Sequence, residues 1–209
     1  IDYKTLLQEA LGLGFDSIMV DGSRLSLDEN IQITAEVVSM AHQKDTPVEA
    51  ELGAVLGHES GPLPPYEELF KSKKGFTRPE DASRFVKETG VDWLSVAVGN
   101  IHGAITGAAK DEDKLAAKLD IEHLKKLKQV TNVPLVLHGG SGIQRKYILE
   151  ASKNGISKLN IGSEIRLAYE RALKESGDVA KARMAVEESM EHMIVDYYAI
   201  KGSKALLDT

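Results

Sequence analysis

Val133-Pro134-Leu135-Val136-Leu137-His138-Gly139-Gly140-Ser141-Gly142 constrains the fold more than any other stretch of this chain. An unbroken apolar run of strand length reads as a strand buried on both faces, which is the habit of parallel sheets. The run ends in a histidine, and a glycine-rich turn follows at once. Glycines there let backbone N–H groups approach an anion, and Ser141 adds a hydroxyl donor. His138 is therefore expected where strand meets loop, beside a phosphate cradle. In a β/α barrel that rim is where chemistry happens.

The rest of the chain repeats the same grammar. Leu6, Leu7, Ala10, Leu11 and Leu13 fall near helical spacing, and Gly14 is placed to end that helix. Ser17 to Ser23 reads as a short strand, and Ser26-Leu27-Asp28-Glu29 as a capping box opening a helix to about Gln43. Pro47 to Gly53 is the second strand. Its Glu49 and Glu51 lie two residues apart and so share a face. Residues 54–76 are rich in Gly, Pro and charge, and are expected to form an irregular, mobile loop. Thr77-Arg78-Pro79-Glu80 repeats the capping-box pattern ahead of a helix ending at Thr89-Gly90. The third strand is expected over Val91 to Gly99, and a helix over Asp120 to Val130 leads to the His138 strand. A helix from Gln144 to Asn154, a fifth strand from Lys158 to Ser163 and two C-terminal helices (about 164–199) complete the order.

Strands alternating with helices imply a parallel α/β sheet. Five units do not close a (β/α)₈ barrel, which takes eight strands and typically about 250 residues. Together with the lack of an initiator methionine, this suggests a chain that supplies about the last five β/α units of one barrel domain across residues 1–209. A five-stranded doubly wound sheet is the self-contained alternative.

Composition narrows the chemistry. A net charge of −6 argues against a nucleic-acid or anionic-membrane partner. With no cysteine there is neither a disulfide nor a thiolate metal site, which fits a reducing compartment such as the cytoplasm. What remains for a metal is nitrogen and oxygen. His102 and His138 each follow a strand, and Glu51 ends another. Parallel strands bring their C-terminal ends to one rim, so these three side chains could share a zinc or similar divalent ion. Taken singly, a histidine at a strand end is more often a hydrogen-bonded structural residue than a metal ligand. The turns Gly139–Gly142 and Asn160–Ser163 follow the last two strands, where barrels often bind phosphate. His42, His123 and His192 read as surface residues, and His58 falls in the loop.

In combination these segments resemble the class II, zinc-dependent fructose- and tagatose-bisphosphate aldolases (ketose-bisphosphate aldolases). The resemblance rests on Ser17-Ile18-Met19-Val20-Asp21-Gly22-Ser23, Val48-Glu49-Ala50-Glu51-Leu52-Gly53 and Val98-Gly99-Asn100-Ile101-His102-Gly103. It continues through Leu135 to Gly142 and Lys158-Leu159-Asn160-Ile161, in family order. The resemblance implies a (β/α)₈ barrel and reversible aldol cleavage of a ketose bisphosphate to dihydroxyacetone phosphate and an aldehyde. The family's zinc holds the ketone and hydroxyl oxygens of the triose and stabilises its enediolate. By the same resemblance His102 and His138 are zinc ligands, and Glu51 is a carboxylate that can hold the metal in a displaced position. Gly103, Gly139 and Ser141 cradle the triose phosphate. Asn160 hydrogen-bonds the triose, Ser163 stands for a phosphate-binding threonine, and Glu59 is the acid/base that handles the triose proton. A monovalent cation such as K⁺ or Na⁺, and a homodimer or homotetramer, are implied in the same way.

The family's first zinc histidine and its catalytic aspartate belong to an HLDHG-like segment that this chain does not contain. The 209 residues alone are therefore expected to show little or no cleavage. Two alternatives stand beside the aldolase: a non-catalytic barrel subunit that stabilises one, and another phosphate-sugar enzyme such as an epimerase.

Overall fold

A computed structural model describes residues 3–57, 64–101 and 117–207. The elements run α1 (Tyr3–Leu13), β1 (Ile18–Asp21), α2 (Leu27–His42), β2 (Val48–Leu52), α3 (Tyr66–Ser72), α4 (Pro79–Thr89), β3 (Trp93–Val96), α5 (Ile121–Val130), β4 (Leu135–Leu137), α6 (Arg145–Lys153), β5 (Ile156–Leu159), α7 (Ser163–Ser176) and α8 (Val179–His192). A π-helical turn (Met193–Tyr197) and a 3₁₀ turn (Ser203–Leu207) follow.

The five strands form one sheet in sequential order β1-β2-β3-β4-β5, every pair parallel. Sequential parallel order with a helix in each crossover is barrel topology, because a doubly wound sheet would reverse its strand order. The sheet is also curved. Glu49 of β2 reaches Lys158 of β5 at 2.7 Å across its concave face. On a flat sheet those strands would stand about 14 Å apart, three strand spacings.

Register decides what faces that concave side. Met19, Glu49 and Trp93 are paired across β1, β2 and β3, and so are Asp21, Glu51 and Ser95; Ser95 pairs onward with Val136 and Val136 with Lys158. Paired residues point to one face, so the acidic positions of β2 and the lysine of β5 all enter the lumen. The opposite face carries Val48, Ala50, Leu94, Leu135 and Leu137, each fully buried under the helices. α2 covers it with Ile31, Thr34, Val37, Val38 and Ala41, spaced three or four apart; α4 contributes Ala82 and Phe85, and α5 Leu124 and Leu127. α7 and α8 pack mainly on each other as a hairpin.

The expected capping box at Ser26 is present: its hydroxyl accepts from Glu29 N–H while the Glu29 carboxylate accepts from Ser26 N–H and O–H. The second one, at Thr77, is not. Arg78 occupies the N-cap with no side-chain bond, and the Thr77 hydroxyl instead donates to the Leu52 carbonyl and accepts from Ala97 N–H at 2.8 Å. Two backbone groups at the ends of β2 and β3 outbid one at a helix start, since both are buried. Three further boundaries move. Within 54–76, expected to be irregular, residues Tyr66–Ser72 form α3, because Tyr66 and Leu69 bury against the core. β5 begins two residues earlier than expected, at Ile156, and ends at Leu159, because Asn160 turns to meet the loop after β4. The last helix, expected to continue to about residue 199, switches to π geometry at Met193, where Arg145 donates to the carbonyls of Asp196 and Tyr197. His123 is not a plain surface residue: its Nε2 lies 2.7 Å from the Thr77 carbonyl and its ring meets Phe76 edge-on.

Candidate active site at the carboxyl edge of the sheet

His138 follows β4 directly and is 6% exposed. Its ring lies between the two carboxylates of β2, with Nε2 2.8 Å from Glu49 Oε1 and Nδ1 3.0 Å from Glu51 Oε2. The second oxygen of Glu49 accepts from Lys158 Nζ at 2.7 Å, and Lys158 stands over the Trp93 ring, 5.6 Å from its centroid. Four residues from β2, the β4 edge and β5 thus form one connected charged network inside the arc.

Electrostatics follow from that geometry. Burial by itself would lower the His138 pKa, but its hydrogen bonds to Glu49 and Glu51, with their charges, more than reverse this and push it up to about 9. Burial would raise Glu49. The contacts from His138 and Lys158 outweigh it and hold the carboxyl below its usual range. The two shifts describe one ion pair, with the proton held by the imidazole, and a cation that took His138 as a ligand would have to displace it.

The backbone at this edge is tied down by side chains that sequence reasoning passed over. Asn100, 3% exposed, accepts from Val98 N–H and donates to the His138 carbonyl at 3.0 Å. Asn30 of α2 donates to the Glu51 carbonyl at 3.0 Å. Both bonds span more than twenty residues, so no local pattern marks them; only the position of Asn100 within the Gly99–Gly103 segment was a cue. The turns after β4 and β5 are stitched as well: Asn160 N–H donates to Leu137 and Gly140 N–H to Asn160. Gly140 has no room for a side chain, since a Cβ would lie 2.7 Å from Leu159 Cδ1 and 3.0 Å from the Asn160 carbonyl.

Of the expected site residues, the structure brings His138 and Glu51 into contact and sets Gly139, Ser141 and Asn160 on the two adjoining turns. Ser141 Oγ is buried with no hydrogen-bond partner among the described residues, as are Ser95 Oγ and Tyr198 Oη. Gly142 N–H is taken at 3.2 Å by Glu164, whose other oxygen is also unpartnered. Ser163 opens α7 one turn further on. His102, Gly103 and Glu59 lie outside the described residues, as does His58.

Among the described residues no three His, Asp or Glu side chains converge as a complete metal site. The donor pair present does fit one. Zinc bound tetrahedrally to a nitrogen and an oxygen holds them about 3.4 Å apart, close to the 3.0 Å separating His138 Nδ1 from Glu51 Oε2. Glu49 on Nε2 completes the carboxylate–histidine arrangement that orients metal-binding imidazoles. No helix among the described residues is long and apolar enough to cross a membrane.

Comparison with known proteins bears on this edge. A family model described as fructose-bisphosphate aldolase class-II matches residues 2–205. A fructose-bisphosphate aldolase of Streptococcus pyogenes serotype M3 is 39% identical over 168 residues, covering 80% of this chain and 52% of the relative. The chain thus spans about half the length of the curated relatives it matches. The solved YdjI aldolase of Escherichia coli K12 aligns with a TM-score of 0.70 at 31% identity, over 95% of this chain and 66% of that one. Fructose-bisphosphate aldolase of Campylobacter jejuni aligns with a TM-score of 0.67 over 92% of this chain and 64% of that one; at 21% identity the likeness is one of fold. The five parallel strands are consecutive β/α units of the barrel these structures share.

Proposed function

Because the chain belongs to the class-II fructose-bisphosphate aldolase family, we propose that it carries the zinc- and triose-binding part of a ketose-bisphosphate aldolase. The family is metal-dependent, and here His138 Nδ1, Glu51 and His102 would hold the ion. The observation that carries the proposal is the 3.0 Å meeting of His138 and Glu51 at the carboxyl edge of the arc. When bound, zinc would supply Lewis acidity to the ketone and hydroxyl oxygens of dihydroxyacetone phosphate.

The chain's own residues do the rest. Ser141, with Gly103 and Gly139, offers hydrogen-bond donors to the phosphate, and Ser163 stands where the second turn meets α7. Asn160 would bond a triose hydroxyl. Glu59 would move the proton at the hydroxymethyl carbon of the triose. Fructose 1,6-bisphosphate and tagatose 1,6-bisphosphate are the substrates this chemistry suits. A homodimer or homotetramer in the cytoplasm is proposed on the family likeness, and residues 1–209 belong to one barrel domain.

The triose half-reaction tests this without requiring the aldehyde. In D₂O the protein with zinc is expected to exchange one carbon-bound hydrogen of dihydroxyacetone phosphate, followed by NMR. Chelator should stop the exchange and added zinc restore it, while Glu59→Gln should slow it with zinc content unchanged. Exchange that ignores chelator, or none in the zinc-loaded protein, would overturn the assignment.

A further inference from the structure

We propose that Glu49 and Lys158 form a positioning pair that decides which nitrogen of His138 is presented to the metal. The proposal rests on the zinc site above and concerns two residues outside the ligand set.

β2 offers two carboxylates to one imidazole, Glu49 to Nε2 and Glu51 to Nδ1. They are chemically alike, lie on one face of one strand, and are 2% and 5% exposed. Nothing in their own chemistry says which should ligate and which should orient. Lys158 makes the difference. Its ammonium bonds the Glu49 oxygen that His138 does not use, so both oxygens of Glu49 are engaged at 2.8 and 2.7 Å. Among the described residues, Glu51 has His138 alone as its side-chain hydrogen-bond partner.

A carboxylate with an ammonium on one oxygen and an N–H on the other is a poor ligand, because binding a metal would mean giving up one bond and bringing two cations together. It is a good acceptor for Nε2–H. With a metal bound, Nε2 would keep its hydrogen for Glu49, and Nδ1, on the Glu51 side, would be the nitrogen left to ligate. Lys158 is itself held: it lies over the Trp93 ring, and Trp93 is the residue paired with Glu49 across β2 and β3. Glu49 therefore acts on the metal through His138, and Lys158 acts through Glu49.

A purely structural ion pair in the lumen would change stability but not the ligating nitrogen. Zinc affinity, measured by competition with a chromophoric chelator, separates the two roles. Glu49→Ala is expected to weaken zinc binding about 10–100-fold. Glu49→Gln, which keeps a carbonyl acceptor for Nε2–H, should recover most of that loss. Lys158→Met should weaken binding too, and add little in the Glu49→Ala background, since both act along one chain of contacts. In ¹⁵N-histidine spectra of the zinc-loaded protein, His138 should carry metal on Nδ1 and hydrogen on Nε2, and this preference should be lost in Glu49→Ala.

If His138→Ala abolishes zinc binding while Glu49→Ala and Lys158→Met leave affinity and ring spectra unchanged, the positioning pair is refuted and the zinc site stands. If the wild-type protein takes up no zinc, or His138→Ala takes it up normally, the zinc site itself falls and the positioning role falls with it.

Discussion

His138→Ala is expected to abolish zinc binding and, in chelator-treated protein at pH 7, to cost about 3–5 kcal/mol of stability, the usual penalty for removing one partner of a buried charge pair. The imidazole separates Glu49 and Glu51, both buried, and without it they face each other across an empty site. The loss has a pH signature. The His138 pKa is raised from 6.5 to about 9 on folding, so the stability it contributes is fully present below pH 6.5 and fades as pH rises through 9. Denaturant titrations of the metal-free wild type and variant should therefore show a gap that is wide at pH 6.5 and narrower at pH 9.5. A gap that is constant, or that widens with pH, would contradict the charged clamp.

The second large effect is expected at Gly99→Ala, just ahead of the His102 segment. Gly99 has φ +113°, and a Cβ there would lie 2.6 Å from the Lys118 carbonyl and 2.7 Å from Phe70 Cε2. The left-handed conformation costs an alanine about 1–3 kcal/mol, and overpacking adds about 1–3 more. The neighbours have little freedom to yield. The Tyr66 hydroxyl of α3 accepts from Lys118 N–H at 2.6 Å and shares its one proton between the carbonyls of Gly99 and Lys118, each 3.0 Å away, so helix, strand end and loop return are clamped together. Thermal or denaturant unfolding should register a loss of about 2–6 kcal/mol. A loss under about 1 kcal/mol would mean that this clamp is loose.

The features legible in the sequence were those written locally. β1, β3 and β4 fall on largely apolar runs closed by turn residues, and β2 on the alternating Val48-Glu49-Ala50-Glu51-Leu52 closed by Gly53. Ser26 with Glu29 announces its capping box over four residues, and the box is there. Thr77 carries the same signature, yet its hydroxyl serves two strand ends twenty or more residues away. A local pattern cannot register that competition. α3 escaped notice because its seven residues are too few to show a period, and burial of Tyr66 and Leu69 rather than propensity holds it.

The site shows the same division. Alternation put Glu49 and Glu51 on one face, and strand ends put His138 on the rim. Which carboxylate takes which nitrogen depends on Lys158, 109 residues from Glu49 in sequence. That choice is made by the curvature of the sheet. Asn100 and Asn30, which fix the backbone at His138 and Glu51, are likewise visible only once β3, β4 and α2 are assembled.

Calorimetric binding of dihydroxyacetone phosphate, with zinc and then with chelator, is the most direct test of a metal-dependent triose site at this edge. The expected result is about one zinc per chain and triose binding that disappears with chelator, returns with zinc, and is absent in His138→Ala. Triose binding of equal strength in chelator, or its persistence in His138→Ala, would contradict a zinc site built on His138 and Glu51.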